Sequence, residues 1–254
     1  MLANLILPFR SLASRLLDLA FPPVCEACGR LLVEGETLVC THCSILIQQA
    51  ENHEGNSLEQ KFWGRANVIR AVSYSPFLEG AVIQSLIHAL KYKNRKNIGA
   101  FLGRKLADIL LQEQIGQNID IIVPVPLHWK KKKRRGYNQS EQIARGISDG
   151  LNLHRHGRNP VFVETSCIRR HVNTETQTTK NGEERWMNVQ DIFQLKKTGS
   201  LIGKHVLVVD DVVTTGATLI SLLEVLNCIE GIHLYVAAAT SVLPASPNVP
   251  DMSR

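Results

Sequence analysis

Residues 206–219 read VLVVDDVVTTGATL, and their pattern is the most informative in this 254-residue chain. Four apolar residues predict a buried strand, Asp210 and Asp211 close it, and a loop rich in threonine leads into residues with helical spacing. Ligands of parallel sheets bind at the carboxyl ends of strands. The stretch therefore predicts an α/β fold with a ligand site where this strand ends.

The loop after the strand has the residue types of an anion site. Backbone N–H groups of residues 214–218, with the start of the next helix, form a nest for a phosphate, and Gly216 lets the backbone approach it closely. Adjacent buried carboxylates need partners, and the paired hydroxyls of a ribose are suitable donors. The alternative is a plain strand–turn–helix. The candidate ribose-phosphate residues are Asp210, Asp211, Val213, Thr214, Thr215, Gly216, Ala217 and Thr218.

Strand and helix patterns alternate around this stretch, from residue 67 to residue 243. Near-continuous apolar strands between helices indicate a parallel sheet covered on both faces. The strands are predicted at 68–74, 119–125, 161–167, 205–211 and 234–240, and the helices at 78–90, 98–110, 140–151 and from 219. We expect a long mobile loop at 169–190, a linker at 48–66 and a disordered tail at 244–254.

A second polar segment, PVPLHWKKKKRRGYNQS at 124–140, also follows a predicted strand. Asn138 or Ser140 is expected to cap the next helix. The six consecutive cations are typical of a solvated charge run, and the alternative is that one or two of them hold a pyrophosphate or a nucleic-acid phosphate. The nucleic-acid candidates are Lys130, Lys131, Lys132, Lys133 and Arg134, with Trp129 and Tyr137 as flanking aromatic residues.

Two CxxC pairs within residues 21–47 predict a zinc ribbon. Two such knuckles give four thiolates in tetrahedral geometry, so the site is expected to be structural and to supply folding free energy. The four candidate ligands are Cys25, Cys28, Cys40 and Cys43. His42 is an alternative ligand. The alternative interpretation is that the cysteines are two redox-active or incidental pairs that bind no metal. The residues between the pairs alternate like a short hairpin that turns at 34–36.

Residues 1–20 are predicted to contain a short amphipathic helix that packs on the protein or lies on a membrane surface. The apolar run at 2–9 precedes Arg10 and Arg15, which is the reverse of a signal peptide, and no uninterrupted apolar run is long enough to span a bilayer. We therefore expect a cytoplasmic protein. Its net charge of +6 favours an anionic partner.

The stretch 206–219 resembles the PRPP-binding motif of type I phosphoribosyltransferases. With the paired CxxC motifs, LIHALKY at 86–92, the segment at 124–140 and the loop that begins at Arg170, the chain resembles the ComF family of competence-associated proteins. The resemblance implies a type I phosphoribosyltransferase fold after a zinc ribbon, PRPP bound with Mg²⁺, and a role in DNA uptake with partners in the competence machinery. It makes Lys91, Arg135, Arg170 and Arg185 candidates to bind the pyrophosphate, Arg170 and Arg185 from the loop at 169–190, which is expected to close over the site.

Two functional hypotheses follow. The first is a transferase that uses PRPP and an acceptor that the sequence does not identify, with catalytic residues unassigned. The second is a non-catalytic protein that reuses the fold to hold single-stranded DNA, since cations track a backbone and aromatic residues stack on bases.

Overall fold

The computed structural model describes residues 21–171 and 192–243. Its strands are β1 (Arg70–Pro76), β2 (Ile121–Pro124), β3 (Phe162–Val163), β4 (Ile168–Arg170), β5 (Phe193–Leu195), β6 (His205–Val213) and β7 (His233–Ser241). Its helices are α1 (Thr41–Leu46), α2 (Ser57–Gln60), α3 (Val82–Tyr92), α4 (Lys96–Gln112), α5 (Trp129–Arg135), α6 (Gln139–Asn152) and α7 (Ala217–Leu226), with a 3₁₀ turn at Gly199–Leu201. The helix predicted within residues 1–20, most of the loop predicted at 169–190 including Arg185, and the tail predicted at 244–254 lie outside the described residues.

A parallel sheet with the order β1-β7-β6-β2-β3 forms the centre of the molecule. Strand β6 lies between β7 and β2, and every neighbouring pair in this sheet is parallel. The α/β fold class predicted from the alternating strands and helices is confirmed. Because all five strands point the same way, their carboxyl ends meet at one edge, where the acidic end of β6 lies beside the segment that follows β2.

The two faces of the sheet are covered by different helices. Leu207 and Val209 of β6 pack on the side of α3, α4 and α6, whereas Val206 and Val208 pack on the side of α7. This alternation follows from the two-residue period of a strand. Helices α4 and α6 approach closely, because a Cβ at Gly103 would clash with backbone of α6. Helix α6 is thereby held with its N-terminus at the carboxyl edge of the sheet.

The strand predicted at 161–167 is shorter in the structure. Only Phe162 and Val163 pair with β2, and the carboxylate of Glu164 then accepts hydrogen bonds from the N–H and hydroxyl of Ser166. That turn ends the strand. The chain continues into β4, which pairs with β5 in a separate antiparallel sheet on either side of residues 172–191.

Part of the segment predicted as a linker at 48–66 packs on the domain instead. Leu58 and Phe62 are buried, and Asn56 caps α2 while its amide donates to the carbonyl of Ala71. The polar composition of this segment led to the prediction of a linker. In the structure its buried polar side chains hydrogen-bond to β1. The side chain of Glu59, for example, accepts a 2.8 Å bond from Arg70.

The cysteine-bearing segment docks on the same domain. Its buried residues continue the core that contains α3 and α4, and Glu26 forms an ion pair with Arg95 at 3.4 Å. The turn predicted at 34–36 is present at residues 34–35, but the expected hairpin ladder is not formed in this segment. Its one bridge joins Val24 to Leu31. Within the described ranges, no helix is both long enough and apolar enough to span a membrane.

Candidate functional site

The two acidic residues of β6 project beyond its neighbour. Strand β2 ends at Pro124 opposite Val209, whereas β6 continues to Val213 alongside β7. Asp210 and Asp211 therefore lie just past the last β2 pair, at the edge where the sequence predicts them. On the side where β2 has ended, the residues that follow β2 lie next to these two aspartates.

Asp210 is held from two directions. Its Oδ1 accepts a 3.0 Å hydrogen bond from the Ser140 hydroxyl and a 2.8 Å bond from the backbone N–H of Asp211. Burial, and then the charge of Asp211, raise the pKa of Asp210 to about 7, although both hydrogen bonds and Lys91 oppose the shift. A raised carboxyl pKa in a cleft is typical of functional sites.

Asp211 forms an ion pair with Lys91. The Lys91 Nζ lies 3.2 Å from Asp211 Oδ1, and the two side chains are only 19% and 13% exposed. Lys91 belongs to the last turn of α3, which covers the face of the sheet opposite to α7. Helix α3 therefore places the Lys91 ammonium beside the two aspartates. The structure thus brings together two residues that are 120 positions apart in the chain.

The loop after β6 is shaped around a small cavity of about 50 Å³ that is lined by Asp210 and residues 212–219. Gly216 has φ +83° and is the N-cap of α7, a conformation that favours glycine. Thr214 and Thr215 are exposed, whereas Gly216 packs over Phe62. The N-terminus of α7 therefore lies beside exposed loop residues, where a helix N-terminus favours an anion, and the N–H of Ala217 donates to the Thr215 hydroxyl at 3.4 Å.

A second cavity of about 160 Å³ lies between the ends of β2 and β6. The three pyrophosphate candidates within the described ranges meet three of the ribose-phosphate candidates here. Its lining includes Lys91, Lys131, Arg135, Arg170, Asp210, Asp211 and Thr218, together with Asn138, Gln139 and Ser140. Cations and carboxylates thus share one small space, an arrangement that suits a phosphorylated ligand with a bridging divalent metal ion.

The basic run forms α5, which has two different faces. Lys131 and Arg135, four residues apart, are half-buried and line the 160 Å³ cavity, whereas Lys130, Lys133 and Arg134 are exposed. Gly136 ends the helix with φ +78°. The predicted solvated charge run is therefore found on the outer face of α5. Lys131 and Arg135 face inward because residues four apart lie on the same side of a helix.

Of the two aromatic residues predicted to flank the basic run, only Trp129 is exposed. Trp129 is 57% exposed, but Tyr137 is buried and donates its hydroxyl to the carbonyl of Leu90, so it cannot stack on a base. Tyr92 is 60% exposed instead, and the Arg135 guanidinium lies 5.5 Å from its ring centroid. Sequence reasoning missed Tyr92 because it is 43 positions away from Arg135 along the chain.

A third cavity of about 300 Å³ adjoins the second. The two share Pro126, Leu127, Asn138 and Arg170, and the third is also lined by Trp129, Lys132, Glu141, Glu164, Cys167 and parts of β4. Hydrogen bonds from the backbone N–H of Ser166, the larger contribution, and from its hydroxyl lower the pKa of Glu164. This carboxylate is therefore ionised at neutral pH, and nothing in the local sequence pattern singled it out.

The four cysteines of the N-terminal segment converge. Their Sγ atoms all lie within 4.8 Å of one another, and those of Cys28 and Cys40 are 3.8 Å apart. Ligands 2.3 Å from a tetrahedral ion lie about 3.8 Å apart, so the spacing fits a bound metal ion. Burial raises the pKa of the Cys25 thiol, but hydrogen bonds, first from the Cys40 N–H, outweigh this and bring it to about 7. Burial and the neighbouring thiols raise the pKa of Cys43, so the metal site is inferred from the spacing of the four Sγ atoms. The cluster can therefore hold a metal ion.

Comparisons with known proteins agree with this geometry. The phosphoribosyl transferase domain model matches residues 88–243. DNA utilization protein YhgH of Escherichia coli K12 is 28% identical over 80% of this chain and 83% of its own length. Competence protein F of Haemophilus influenzae is 29% identical over 71% of this chain and 74% of its own length. Competence protein ComFC of Bacillus subtilis is 31% identical over 39% of this chain and 35% of its own length.

The domain match covers more than half of the chain and includes β6, its acidic pair and the loop that follows. The relatives named for competence and DNA utilization extend the similarity toward the cysteine cluster, since one of them covers 80% of the chain. The chain therefore belongs to the phosphoribosyl transferase domain family and has ComF-type proteins among its relatives.

Proposed function

We propose that the protein binds PRPP, with Mg²⁺, in the 160 Å³ cavity and the adjoining loop at the end of β6. The observation that carries this proposal is the meeting of Asp210, Asp211, Lys91 and Arg135 around one cavity. Carboxylates bind ribose hydroxyls, and cations bind the pyrophosphate. The nest at residues 214–218 binds the 5′-phosphate through backbone N–H groups.

Mg²⁺ suits this site because two carboxylates stand beside the place of the pyrophosphate, and the ion prefers oxygen ligands shared with substrate phosphates. When bound, it would neutralise charge on the departing pyrophosphate. Asp210 and Asp211 would orient the ribose. Lys91, freed in part from Asp211, would bind the pyrophosphate oxygens together with Arg135.

The 300 Å³ cavity is the place for an acceptor, since it shares four lining residues with the PRPP cavity. The ionised Glu164 in its wall favours an acceptor that presents N–H groups. Exposed Trp129 offers a flat apolar surface for a ring. In a transfer step, the acceptor lone pair would form a bond to ribose C1 while the C1–O bond to pyrophosphate breaks, and the acceptor proton would leave to solvent.

Calorimetric titration of PRPP with Mg²⁺ into the protein tests this proposal. We expect saturable binding that is lost in the double variant Asp210→Asn, Asp211→Asn, because both ribose contacts and the metal ligands are then weakened. Far-ultraviolet circular dichroism of the variant should be unchanged. Equal affinity in the two proteins would place the ligand elsewhere.

A second candidate function is single-stranded DNA binding, which the outer face of α5 favours. Lys130, Lys133 and Arg134 are exposed there, and Lys130 lies 5.6 Å from the ring centroid of exposed Trp129. Relatives named for competence and DNA utilization support this candidate. These exposed cations lie on the outer face of α5, whereas Lys131 and Arg135 line the 160 Å³ cavity.

Fluorescence anisotropy with a labelled oligothymidine of about 20 nucleotides tests DNA binding. The variant Lys130→Gln, Lys133→Gln keeps the helix and should reduce the affinity and the salt dependence, by about 0.7 in the log–log slope for each lost phosphate contact. Lys197→Gln, Lys204→Gln removes two exposed cations elsewhere and is the matched control. Equal losses in both variants would indicate a non-specific charge effect.

We also propose that the four cysteines bind zinc as a structural ribbon. All four positions of a tetrahedral site would be filled by protein thiolates, which leaves no open position for catalysis.

A further inference from the structure

The cavity assigned to PRPP opens beside a groove of about 700 Å³. The groove is lined by Lys91, Tyr92, Asn94, Lys133, Arg134, Arg135 and Gly136. Two of these residues, Lys91 and Arg135, also line the 160 Å³ cavity. The cavity and the groove therefore share these two cations.

The walls of this groove are strongly basic. One wall is the end of α5, and the other is the end of α3 with the turn after it, where the sequence reads KYKNRK at 91–96. Four cations line the groove, and none of its lining residues within the described part of the chain is acidic. Lys91 is paired with Asp211, but that carboxylate faces the cavity and not the groove. The groove is thus suited to a polyanion.

Tyr92 adds a second feature to the groove. Its ring is 60% exposed, between His88, at 4.9 Å between ring centroids, and the guanidinium of Arg135. An exposed ring between basic walls matches the combination that binds single strands, in which cations follow the phosphates and an aromatic ring stacks on a base. A double helix would not present its base faces to such a ring.

A pyrophosphate in the cavity and a strand phosphate in the groove would both depend on Lys91 and Arg135. The Lys91 ammonium has three N–H donors, and Asp211 already takes one of them. Arg135 donates to Gln139 at 2.9 Å, and its Nε is buried without a hydrogen-bond partner, so its remaining donors are few and fixed in direction. The pyrophosphate and the monoanionic strand phosphate, held side by side on this pair, would also repel each other.

We propose that single-stranded nucleic acid binds in this groove with a base on Tyr92, and that it and PRPP exclude each other because both require Lys91 and Arg135. The inference rests on the proposed PRPP site and goes beyond it by linking that site to the DNA function. PRPP would then release a bound strand, and a bound strand would keep PRPP out. By linkage, each ligand weakens the other by the same factor.

The test is displacement of a fluorescently labelled oligothymidine by PRPP with Mg²⁺ at fixed ionic strength. At a PRPP concentration ten times its dissociation constant from calorimetry, competition raises the apparent oligothymidine dissociation constant about 11-fold. Ribose 5-phosphate at ten times its own dissociation constant lacks the pyrophosphate and should change the value less than about twofold. Inorganic pyrophosphate should compete as PRPP does.

Variants locate the strand. Tyr92→Ala should weaken oligothymidine binding by about 5- to 100-fold, as expected for the loss of one stacked base, and leave the PRPP affinity unchanged. Trp63→Ala removes another exposed ring, 63% accessible, and is the matched control. A Tyr92→Ala variant that binds the strand as tightly as the Trp63→Ala control would overturn the groove assignment.

The outcomes separate the inference from the proposed function. PRPP that binds by calorimetry but leaves the oligothymidine in place would overturn the exclusion and keep the PRPP site. Competition by ribose 5-phosphate equal to that by PRPP would also overturn it, because the overlap would then lie away from Lys91 and Arg135. Absence of PRPP binding by calorimetry would overturn the proposed function first, and the exclusion with it.

Discussion

The hydroxyl of Ser140 donates a 3.0 Å hydrogen bond to Oδ1 of Asp210, although the two residues are 70 positions apart in the chain. Ser140 lies in the first turn of α6, which is capped by Asn138, and Asp210 lies near the end of β6. The bond therefore joins the two polar segments at 124–140 and 206–219. It makes one site of two motifs that the sequence presents separately.

Loss of this hydroxyl should weaken the acidic pair as a ligand site. The bond from Ser140 lowers the pKa of Asp210, so Ser140→Ala should raise that pKa further and disfavour the ionised form. We expect calorimetry to give a PRPP affinity at least about 10-fold lower with Mg²⁺ near pH 7, from the loss of a hydrogen bond to a charged group. The loss should shrink above pH 8, where the carboxyl ionises in both proteins.

Ser148→Ala is the matched control for this prediction. Its hydroxyl donates to the carbonyl of Val161 at 2.8 Å, on the same helix but away from the cavity. That variant should lose about 1 kcal/mol of stability and keep its PRPP affinity. If both serine variants bind PRPP equally well, the Ser140 bond has no role in binding.

The buried charge of Asp210 should cost stability in the ligand-free protein. Its pKa is raised in the folded state from the usual value near 4, so ionisation disfavours folding as the pH rises through about 7. Asp210→Asn cannot ionise. A rise of the pKa from about 4 to about 7 corresponds to about 4 kcal/mol, so the variant should be the more stable protein at pH 8 by up to about that amount. Each kcal/mol should raise Tm by about 2–4 °C, and the difference should vanish near pH 4.

Thermal unfolding by differential scanning fluorimetry at several pH values measures this difference. Asp149→Asn, on the exposed side of α6, is a control that should show no such pH dependence. A stability gain for Asp210→Asn that is constant from pH 4 to pH 8 would mean that a contact of the amide, and not the carboxyl charge, is responsible.

The central part of the fold could be predicted from the sequence because β6 and β7 are short apolar runs between helical patterns. The same reasoning extended β3 too far, since Glu164 and Ser166 form a turn through side-chain hydrogen bonds that an apolar pattern does not record. It also assigned Leu58 and Phe62 to a linker. Their polar neighbours are satisfied by β1, a contact that is invisible before the sheet is formed.

The candidate site was predictable where one continuous motif supplies it. Asp210, Asp211 and the loop lie together because strand, loop and helix follow one another in the chain. Ser140 enters the site only through packing of α6 on the sheet, and Tyr92 lies in the neighbouring groove because α3 packs beside α5. The exposure of Tyr92 and the burial of Tyr137 depend on how α3 and α5 meet, which residue spacing within either segment does not reveal.

Gly216 should be essential for the phosphate nest. Its φ of +83° is strained for any residue with a Cβ, and that Cβ would meet Lys61 at 3.5 Å. Gly216→Ala should cost about 1 kcal/mol in stability and reduce PRPP affinity at least about tenfold, because the N–H groups turn away from the phosphate. Gly80, with φ +76° and open surroundings, gives the matched variant Gly80→Ala. A similar stability loss in both with PRPP affinity lost in neither would contradict the nest.

The cysteine cluster should contain about one zinc ion per chain, measured by mass spectrometry of the metal content. Cys43→Ser removes a buried ligand and should abolish zinc binding, whereas Cys228→Ser changes an exposed cysteine outside the cluster and should keep it. Since the buried cysteines continue the core beside α3, zinc removal by a chelator should lower the Tm of the whole domain in the parent protein but not in Cys43→Ser. A metal-free preparation with the same Tm as the zinc-loaded protein would show that the four thiols pack without a metal ion.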